Sequence, residues 1–320
     1  MTDKTFTTAE KAAPRVSGKA EKPQPRFRVT NYALLLKPRV MSLVVFTAAV
    51  GFLLAPGAVQ SFDLLTATAA ILCIAIGAGA SGAINMWYDR DIDLHMLRTM
   101  NRPLPAGRLT PKEALIFGII LSLGSVAVMA TMVNGTAAAL LALTILYYVF
   151  IYTVWLKRRT PHNIVIGGAS GALPPVIGWA AVSGDIGFGA VALFLIIFLW
   201  TPPHSWALAL FRRGDYEAAN VPMLPVVAGE KETKKQMLIY TALLVPSTLL
   251  PVAIGMSGAV YGIAAGLLGL GLARHALRVW KDSGEDGGTT ARPMFFFSIL
   301  YLFLIFVALL ADRAVFIPVL

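Results

Sequence analysis

The polar residues of this chain come in bunches, and between the bunches lie long runs in which nearly every position is apolar or small. The runs do not alternate with period two, which excludes the strands of a lipid-facing β-barrel. Each is close to the stretch of about 20 residues that a helix needs to cross a hydrocarbon core. The polar punctuation predicts nine helical spans, near residues 34–55, 63–88, 113–133, 136–155, 163–183, 188–210, 237–256, 259–280 and 293–312. The expected fold class is all-α, a polytopic membrane protein. Residues 1–30, rich in Lys, Ala, Thr and Pro, read as a disordered cytoplasmic tail with no apolar centre of a signal peptide. Residues 31–320 form the transmembrane domain.

Composition supports this reading. Hydrophobic residues make up 57% of the chain and charged residues 14%, against about 25% charged in a soluble domain. The net charge is +10, but its placement says more than its size. Counting helix ends, the tail and the connections near 89–112, 156–162, 211–236 and 281–292 carry every Lys and Arg except Arg313. The connections near 56–62, 134–135, 184–187 and 257–258 carry none. The positive-inside rule then places the N-terminus and the charged loops in the cytoplasm and the C-terminus on the opposite side. The basic excess suits anionic membrane lipids. No zinc spacing or soluble basic domain points to a nucleic-acid partner.

Cys73, the one cysteine, lies inside the second span, so a disulfide framework is excluded and a core role is expected. "NGT" at Asn134 falls in a very short turn and is set aside as a glycosylation acceptor. The runs "GAGASGA" (77–83) and "GGASGA" (167–172) permit close helix approach. Pro174–Pro175, Pro202–Pro203, Pro246 and Pro251 are expected to bend or break their helices.

The densest acidic group, "NMWYDRDID" (85–93), stands where the second span ends. On an α-helix Asn85, Asp89 and Asp93 share one face, since each step of four residues drifts only about 40°. Asp91 points elsewhere, towards solvent or Arg90. An amide and two carboxylates in a row are hard oxygen ligands that suit Mg²⁺, which in turn favours a phosphorylated ligand. Acidic residues beside a membrane are costly and usually functional. Basic residues gather on the same side: Lys37 and Arg39 at the start of the first span, then Arg98, Arg102 and Arg108, then Lys157, Arg158 and Arg159. A second charged end follows span six, "FRRGDYEAANVPMLPVV" (211–227), with Arg212, Arg213 and Asp215. A four-helix duplication would set the two ends face to face. Guanidinium groups match phosphate oxygens.

The N-x-x-x-D-x-x-x-D stripe resembles the signature of the UbiA-type intramembrane prenyltransferases. "NMWYDRDIDLHMLRTMNRPLPAGR", "IVIGGASGALPPVIGWAAVSG", "WTPPHSWALALFRRGDY" and "NVPMLPVV" look like the haem-farnesylating branch of that family, over roughly residues 30–310. The resemblance implies nine helices around a central cavity with its active site on the cytoplasmic side of a bacterial inner membrane. Farnesyl diphosphate would bind through Mg²⁺ to Asn85, Asp89 and Asp93, opposed by Asp215. Arg98, Arg102 and Lys157 would neutralise the departing diphosphate, and Lys37, Arg39, Arg158 and Arg212 would help hold the substrate. Haem B would be the acceptor, with His204 or His162 as iron ligand. The product, haem O, would pass to a downstream haem-modifying membrane enzyme on the route to haem A. Trp87, Tyr88, Trp179 and Trp200 are candidates for stabilising the allylic cation, while His95 and His275 read as surface residues. The family's second acidic site is D-x-x-x-D in some branches; here Ala219 follows Asp215 at that spacing, which departs from the pattern and favours haem over a quinone precursor. Three other readings stand beside this one, among them a non-catalytic haem-handling scaffold. A prenyltransferase for another acceptor would share the charged end, and a secondary transporter would place its acids at mid-bilayer, not at helix ends.

Overall fold

The computed structural model describes residues 28–58, 63–283 and 289–318. The tail expected over 1–30 falls outside these residues up to position 27. Among the described residues every regular element is a helix. Eight helices are long and apolar enough to cross a membrane, or nine when a bent pair at the start is counted as one span. That pair is α1 (Val29–Leu35) and α2 (Pro38–Leu54), which meet at 56°. The first span therefore starts earlier than expected and is broken. Pro38 sits at the first position of α2, where its missing N–H costs nothing, and Lys37 before it takes a left-handed conformation, φ +50°.

The rest follow as α3 (Leu64–Tyr88), α4 (Pro111–Met132), α5 (Gly135–Leu146) running into a π-helical stretch Tyr147–Leu156, α6 (Asn163–Ala172), α7 (Pro174–Ser183) and α8 (Phe188–Phe211). After them come the short α9 (Arg213–Ala218) and α10 (Leu224–Val227), then α11 (Gly229–Ser247), α12 (Leu250–Ala253), α13 (Ala259–Lys281) and α14 (Ala291–Val315). The seventh span begins at Gly229, well before the expected 237, because the charged turn "GEKETKK" continues the helix beyond its apolar part.

Local chemistry sets the ends. A capping box starts α4: the Glu113 N–H donates to Thr110 Oγ1 at 3.2 Å and the Thr110 N–H to Glu113 Oε2 at 2.8 Å. Asn134 Oδ1 caps α5, accepting from the Ala137 N–H at 2.8 Å, while its Nδ2 donates to the Ala180 and Ala181 carbonyls on α7. The residue of the "NGT" turn is thus a cap and a strap. Buried Asp312 on α14 caps α13 from outside, accepting from the N–H groups of Gly258 at 2.6 Å and Tyr261 at 3.0 Å.

The helices form a closed ring. α3 packs on α4, α2 on α7, α8 on α6 and α11, and α14 on α13, α8 and back on α2, where the rings of Phe46 and Phe303 meet tilted at 38° with centroids 4.9 Å apart. Pro174–Pro175 separate α6 from α7 as expected. Pro202–Pro203 do not break their helix: α8 runs through both, a correction to the expected interruption beside His204. The prolines leave the carbonyls of Phe198 and Leu199 without their i+4 donors, and Thr201 just before them donates its Oγ1 to the Ile197 carbonyl at 2.8 Å. The two charged helix ends meet. Ile92 and Met96 after α3 pack in one apolar cluster with Tyr216, Val221 and Met223 after α8.

Candidate active site

Asn85, Asp89 and Asp93 are brought together and buried, at 3%, 0% and 1% exposure. They do not share one continuous α-helix. α3 ends at Tyr88, Asp89 is its C-cap, and Asp93 lies in a 3₁₀ turn, Ile92–His95. The alignment survives because the Asp89 N–H still donates to the Asn85 carbonyl and the Asp93 N–H to the Asp89 carbonyl, both at 2.9 Å. Carboxylates at the carbonyl end of a helix face its negative pole, an unfavourable position unless cations answer them. Three do. Lys157 Nζ donates to Asp89 Oδ2, Arg102 Nη1 donates to Asp93 Oδ2 at 2.7 Å, and Lys37 Nζ donates to Asn85 Oδ1 at 2.7 Å. The Asn85 amide nitrogen donates to Asp89 Oδ2 at 2.7 Å and Thr153 Oγ1 at 3.2 Å, which aims its oxygen at Lys37 and the cavity.

Asp91 is exposed, as expected, but the arginine it meets is Arg158 and not Arg90, which corrects that part of the expectation. Arg158 donates to both of its oxygens at 2.7 Å and lies 4.8 Å over the Tyr88 ring, while Arg90 bonds the Trp87 carbonyl at 2.7 Å. The clamp ties the 157–162 connection to the end of α3. Hydrogen bonds from Arg158 hold the Asp91 carboxyl down at about 2, against about 4 unfolded. Its stabilisation is therefore complete above about pH 4 and lost as the pH falls through about 2. With the Asp91 side chain 60% exposed, solvent screening limits it to about 1 kcal/mol or less. Asp91→Asn should lower Tm by about 1–3 °C at pH 7. The gap from wild type should close as the pH drops from 4 towards 2, as thermal unfolding followed over that range will show.

The π-helical stretch decides which side chains reach the site. The Lys157 N–H donates to the Tyr152 carbonyl five residues back, at 2.9 Å. At about 4.4 residues per turn, positions 148, 152 and 157 fall on one face; at 3.6 per turn, Lys157 would stand opposite Tyr148. All three line the cavity.

That cavity has two adjoining lobes of ≈ 330 Å³ and ≈ 320 Å³, with Tyr148 and Tyr152 in the wall of both. Lys37, Arg98, Arg102 and Lys157 line the first lobe against one carboxylate, Asp93. The second is mostly apolar and carries Trp200, Thr201, His204 and Leu302. Asp215 is half-buried on α9 and does not line the first lobe; Tyr216, beside it, does. Arg39, Arg212 and His162 are exposed and line neither lobe. Arg158 acts through Asp91 and stands 3.5 Å from Asp89. Arg108 bonds the Asn101 carbonyl, and Arg213 pairs with Glu217 at 2.6 Å. Of the four aromatic candidates only Trp200 lines the cavity. Trp87 and Tyr88 line a separate apolar groove, and Trp179 is buried beside Gly187 and Gly189.

Tyr148, Tyr152, Asn163 and Tyr216 also line the first lobe; Tyr216 ends the "FRRGDY" motif but is not singled out there, and no motif or spacing marks the other three. Tyr152 has room because Gly167 faces it: a Cβ there would come within 2.2 Å of its ring. Gly167→Ala should therefore displace Tyr152 and lower turnover about tenfold, an indirect positioning effect, with little change in expression, as a kinetic assay beside an expression blot will read.

The chain's relatives agree with this architecture. The model of the UbiA prenyltransferase family matches residues 44–310. A protein named protoheme IX farnesyltransferase from Parvibaculum lavamentivorans is 58% identical over 280 residues, 87% of each chain. One of the same name from Azorhizobium caulinodans is 57% identical over 286 residues, 89% of this chain and 92% of that one. Among solved structures, a digeranylgeranylglyceryl phosphate synthase superposes with TM-score 0.73 at 20% identity, covering 89% of this chain and 98% of its own. A UbiA homologue from Archaeoglobus fulgidus bound to GPP and Mg²⁺ superposes with TM-score 0.60 at 19% identity, over 87% and 99%. At such identities the structural likeness speaks for the fold, while the family match and the sequence relatives carry descent: the chain belongs to the UbiA prenyltransferase family.

Proposed function

We propose that this chain transfers the farnesyl group of farnesyl diphosphate to a vinyl group of haem B, giving haem O and diphosphate, at the cytoplasmic face of a bacterial inner membrane. The observation that carries the reading is the two-lobed cavity. A strongly cationic lobe suits a diphosphate, an apolar lobe suits an acceptor bearing a large flat ring, and the two join at a pair of tyrosines. Relatives above 55% identity bear the matching name.

The donor set fits Mg²⁺. Among the described residues no three His, Cys, Asp or Glu side chains gather, but Mg²⁺ ordinarily takes one or two carboxylates and completes its shell with phosphate and water. Asn85, Asp89 and Asp93 would hold it; Asp89 Oδ1 is buried with no hydrogen-bond partner, its nearest cation being Arg158 at 3.5 Å. When bound, the ion neutralises charge on the diphosphate as it leaves. Asp215 has no place in that set here; its proposed part is on the opposing wall, next to Tyr216.

The chain's own residues do the rest. Lys37, Arg98, Arg102 and Lys157 stabilise the charge that develops as the C1–O bond breaks and its electron pair goes to diphosphate. Tyr148 and Tyr152, with ring centroids 5.3 Å apart, present π faces where the allylic cation forms. The haem vinyl group attacks C1, and water adds to the resulting cation and gives up a proton, leaving a hydroxyethylfarnesyl side chain. The apolar walls keep water from the farnesyl cation before that step. The test is to incubate purified protein with haem B, farnesyl diphosphate and Mg²⁺ and weigh the products. Haem O should form, stop on adding a chelator and resume with excess Mg²⁺. Prenylation of a quinone precursor instead, or haem O at full rate in chelator, would overturn the reading.

A further inference from the structure

His204 is held in the second lobe by contacts on three sides. Its ring stacks on Trp200 (centroids 4.2 Å apart, planes at 17°) and on Phe295 (4.7 Å, 24°), which fixes its plane. The third contact is Ser298, whose Oγ lies 2.7 Å from His204 Nδ1 and 2.7 Å from the Phe295 carbonyl oxygen. A carbonyl can only accept, so the single hydroxyl proton goes to it, and the contact with the ring then requires the proton on Nδ1. Nε2 is left with its lone pair. Among the described residues the ring's hydrogen bond is the one at Nδ1, and His204 lines the lobe. Trp200 Nε1 donates to the Ser298 carbonyl at 2.8 Å, so one residue of α14 secures two successive turns of α8.

The chain has four histidines, and His204 is the one that lines the cavity. His95 and His162 are exposed, and His275 stacks on Phe297 at 4.6 Å away from both lobes. We infer that Ser298 presents His204 Nε2 as the axial ligand to the iron of haem B. The inference rests on haem as acceptor and adds how that acceptor is seated. Histidines that bind metals generally donate their other ring N–H to an oxygen, which fixes the tautomer; Ser298 Oγ is that oxygen. Ligation pins the porphyrin over Nε2 and leaves its rim to be turned towards Tyr148 and Tyr152.

The test needs no farnesyl diphosphate. Ferric haem B is titrated into the purified full-length protein in lipid nanodiscs, and the absorption spectrum is followed. Wild type should give the spectrum of an imidazole-ligated haem. His204→Gly should lose it, and added imidazole should restore it. Ser298→Ala keeps the ring but frees its tautomer, and should weaken haem binding about 10–100-fold, with Ser298→Thr recovering most of the loss. If His204→Gly does not fold, His204→Gln fills the same slot and should lack the imidazole spectrum. An unchanged spectrum in the His204 variants, or unchanged affinity in Ser298→Ala, overturns the inference. If haem ligates through His204 but no haem O forms on adding farnesyl diphosphate and Mg²⁺, the proposed reaction fails and the seat stands.

Discussion

Asp89→Asn and Asp93→Asn should each lower kcat/KM for farnesyl transfer by about 10³-fold, the upper part of the range for a preorganised electrostatic group. The two should differ in stability. Asp89 is fully buried beneath Lys157, whose side chain is 16% exposed, and Arg158. Neutralising it strands Lys157, while Arg158 keeps Asp91, and removing one partner of a buried pair costs about 3–5 kcal/mol. Asp93 answers Arg102, which is 23% exposed and can turn to water, so Asp93→Asn should be nearly as stable as wild type. The discriminating variant is Asp89→Asn with Lys157→Met. Removing both charges should recover much of the lost Tm while activity stays down, because in the proposed reaction the carboxylate and the lysine both serve the diphosphate. Recovery of turnover with Tm in that double variant would make Asp89 a structural counter-ion and remove it from the proposed chemistry. Asp89→Asn running within about tenfold of wild type would do the same, and Asp93→Asn within that margin would remove Asp93 from the proposed chemistry.

The cost of placing these carboxylates explains how much of the site is legible in the sequence. Two buried acids at the negative pole of a helix contradict local preference, and such contradictions concentrate at functional sites. That contradiction is written in residue types and spacing alone, so Asn85, Asp89 and Asp93 stand out in the bare chain. The spans stand out because hydrophobic length alone sets them, and the expected 188–210 and the observed Phe188–Phe211 differ by one residue. The cations are harder. Membrane topology puts Lys and Arg at cytoplasmic ends whether or not they bind anything, so the sequence does not separate Lys37, which bonds Asn85, from Arg39, which faces out. The kink at Lys37 makes that choice, and Pro38 is its only local sign.

Helical period is the deeper obstacle. A reading at 3.6 residues per turn puts Lys157 away from Tyr148 and Tyr152, and only the wider π turns return it. Asp91 escapes a sequence reading for a different reason. Its partner, Arg158, lies 67 positions away and is brought near by packing, not by spacing.

Gly178→Val should leave little folded protein in the membrane. α2 and α7 touch backbone to backbone at two reciprocal points. A Cβ on Gly178 would come within 2.1 Å of the Ala48 carbonyl oxygen, and one on Gly51 within 2.1 Å of the Pro175 carbonyl oxygen. Neither obstacle is a side chain that can rotate aside, so the helices must separate. In lipid, helix association draws on close van der Waals contact and not on the exclusion of water, so separation is not offset elsewhere. Overpacking in a compliant core costs about 1–3 kcal/mol; against rigid backbone Gly178→Ala should reach the top of that range and Val exceed it, in a fold whose total margin is of order 5–15 kcal/mol. The damage would also reach the cavity, since α2 begins at the Lys37 kink and α7 continues α6, whose Gly167 seats Tyr152. Gly124→Ala is the control. It lies on the exposed face of α4 with nothing within 4 Å of its added carbon, and should fold at least as well as wild type. Size-exclusion profiles and Tm of the solubilised variants will decide. A Gly178→Val protein with wild-type Tm would mean that α2 and α7 are not held together by this contact.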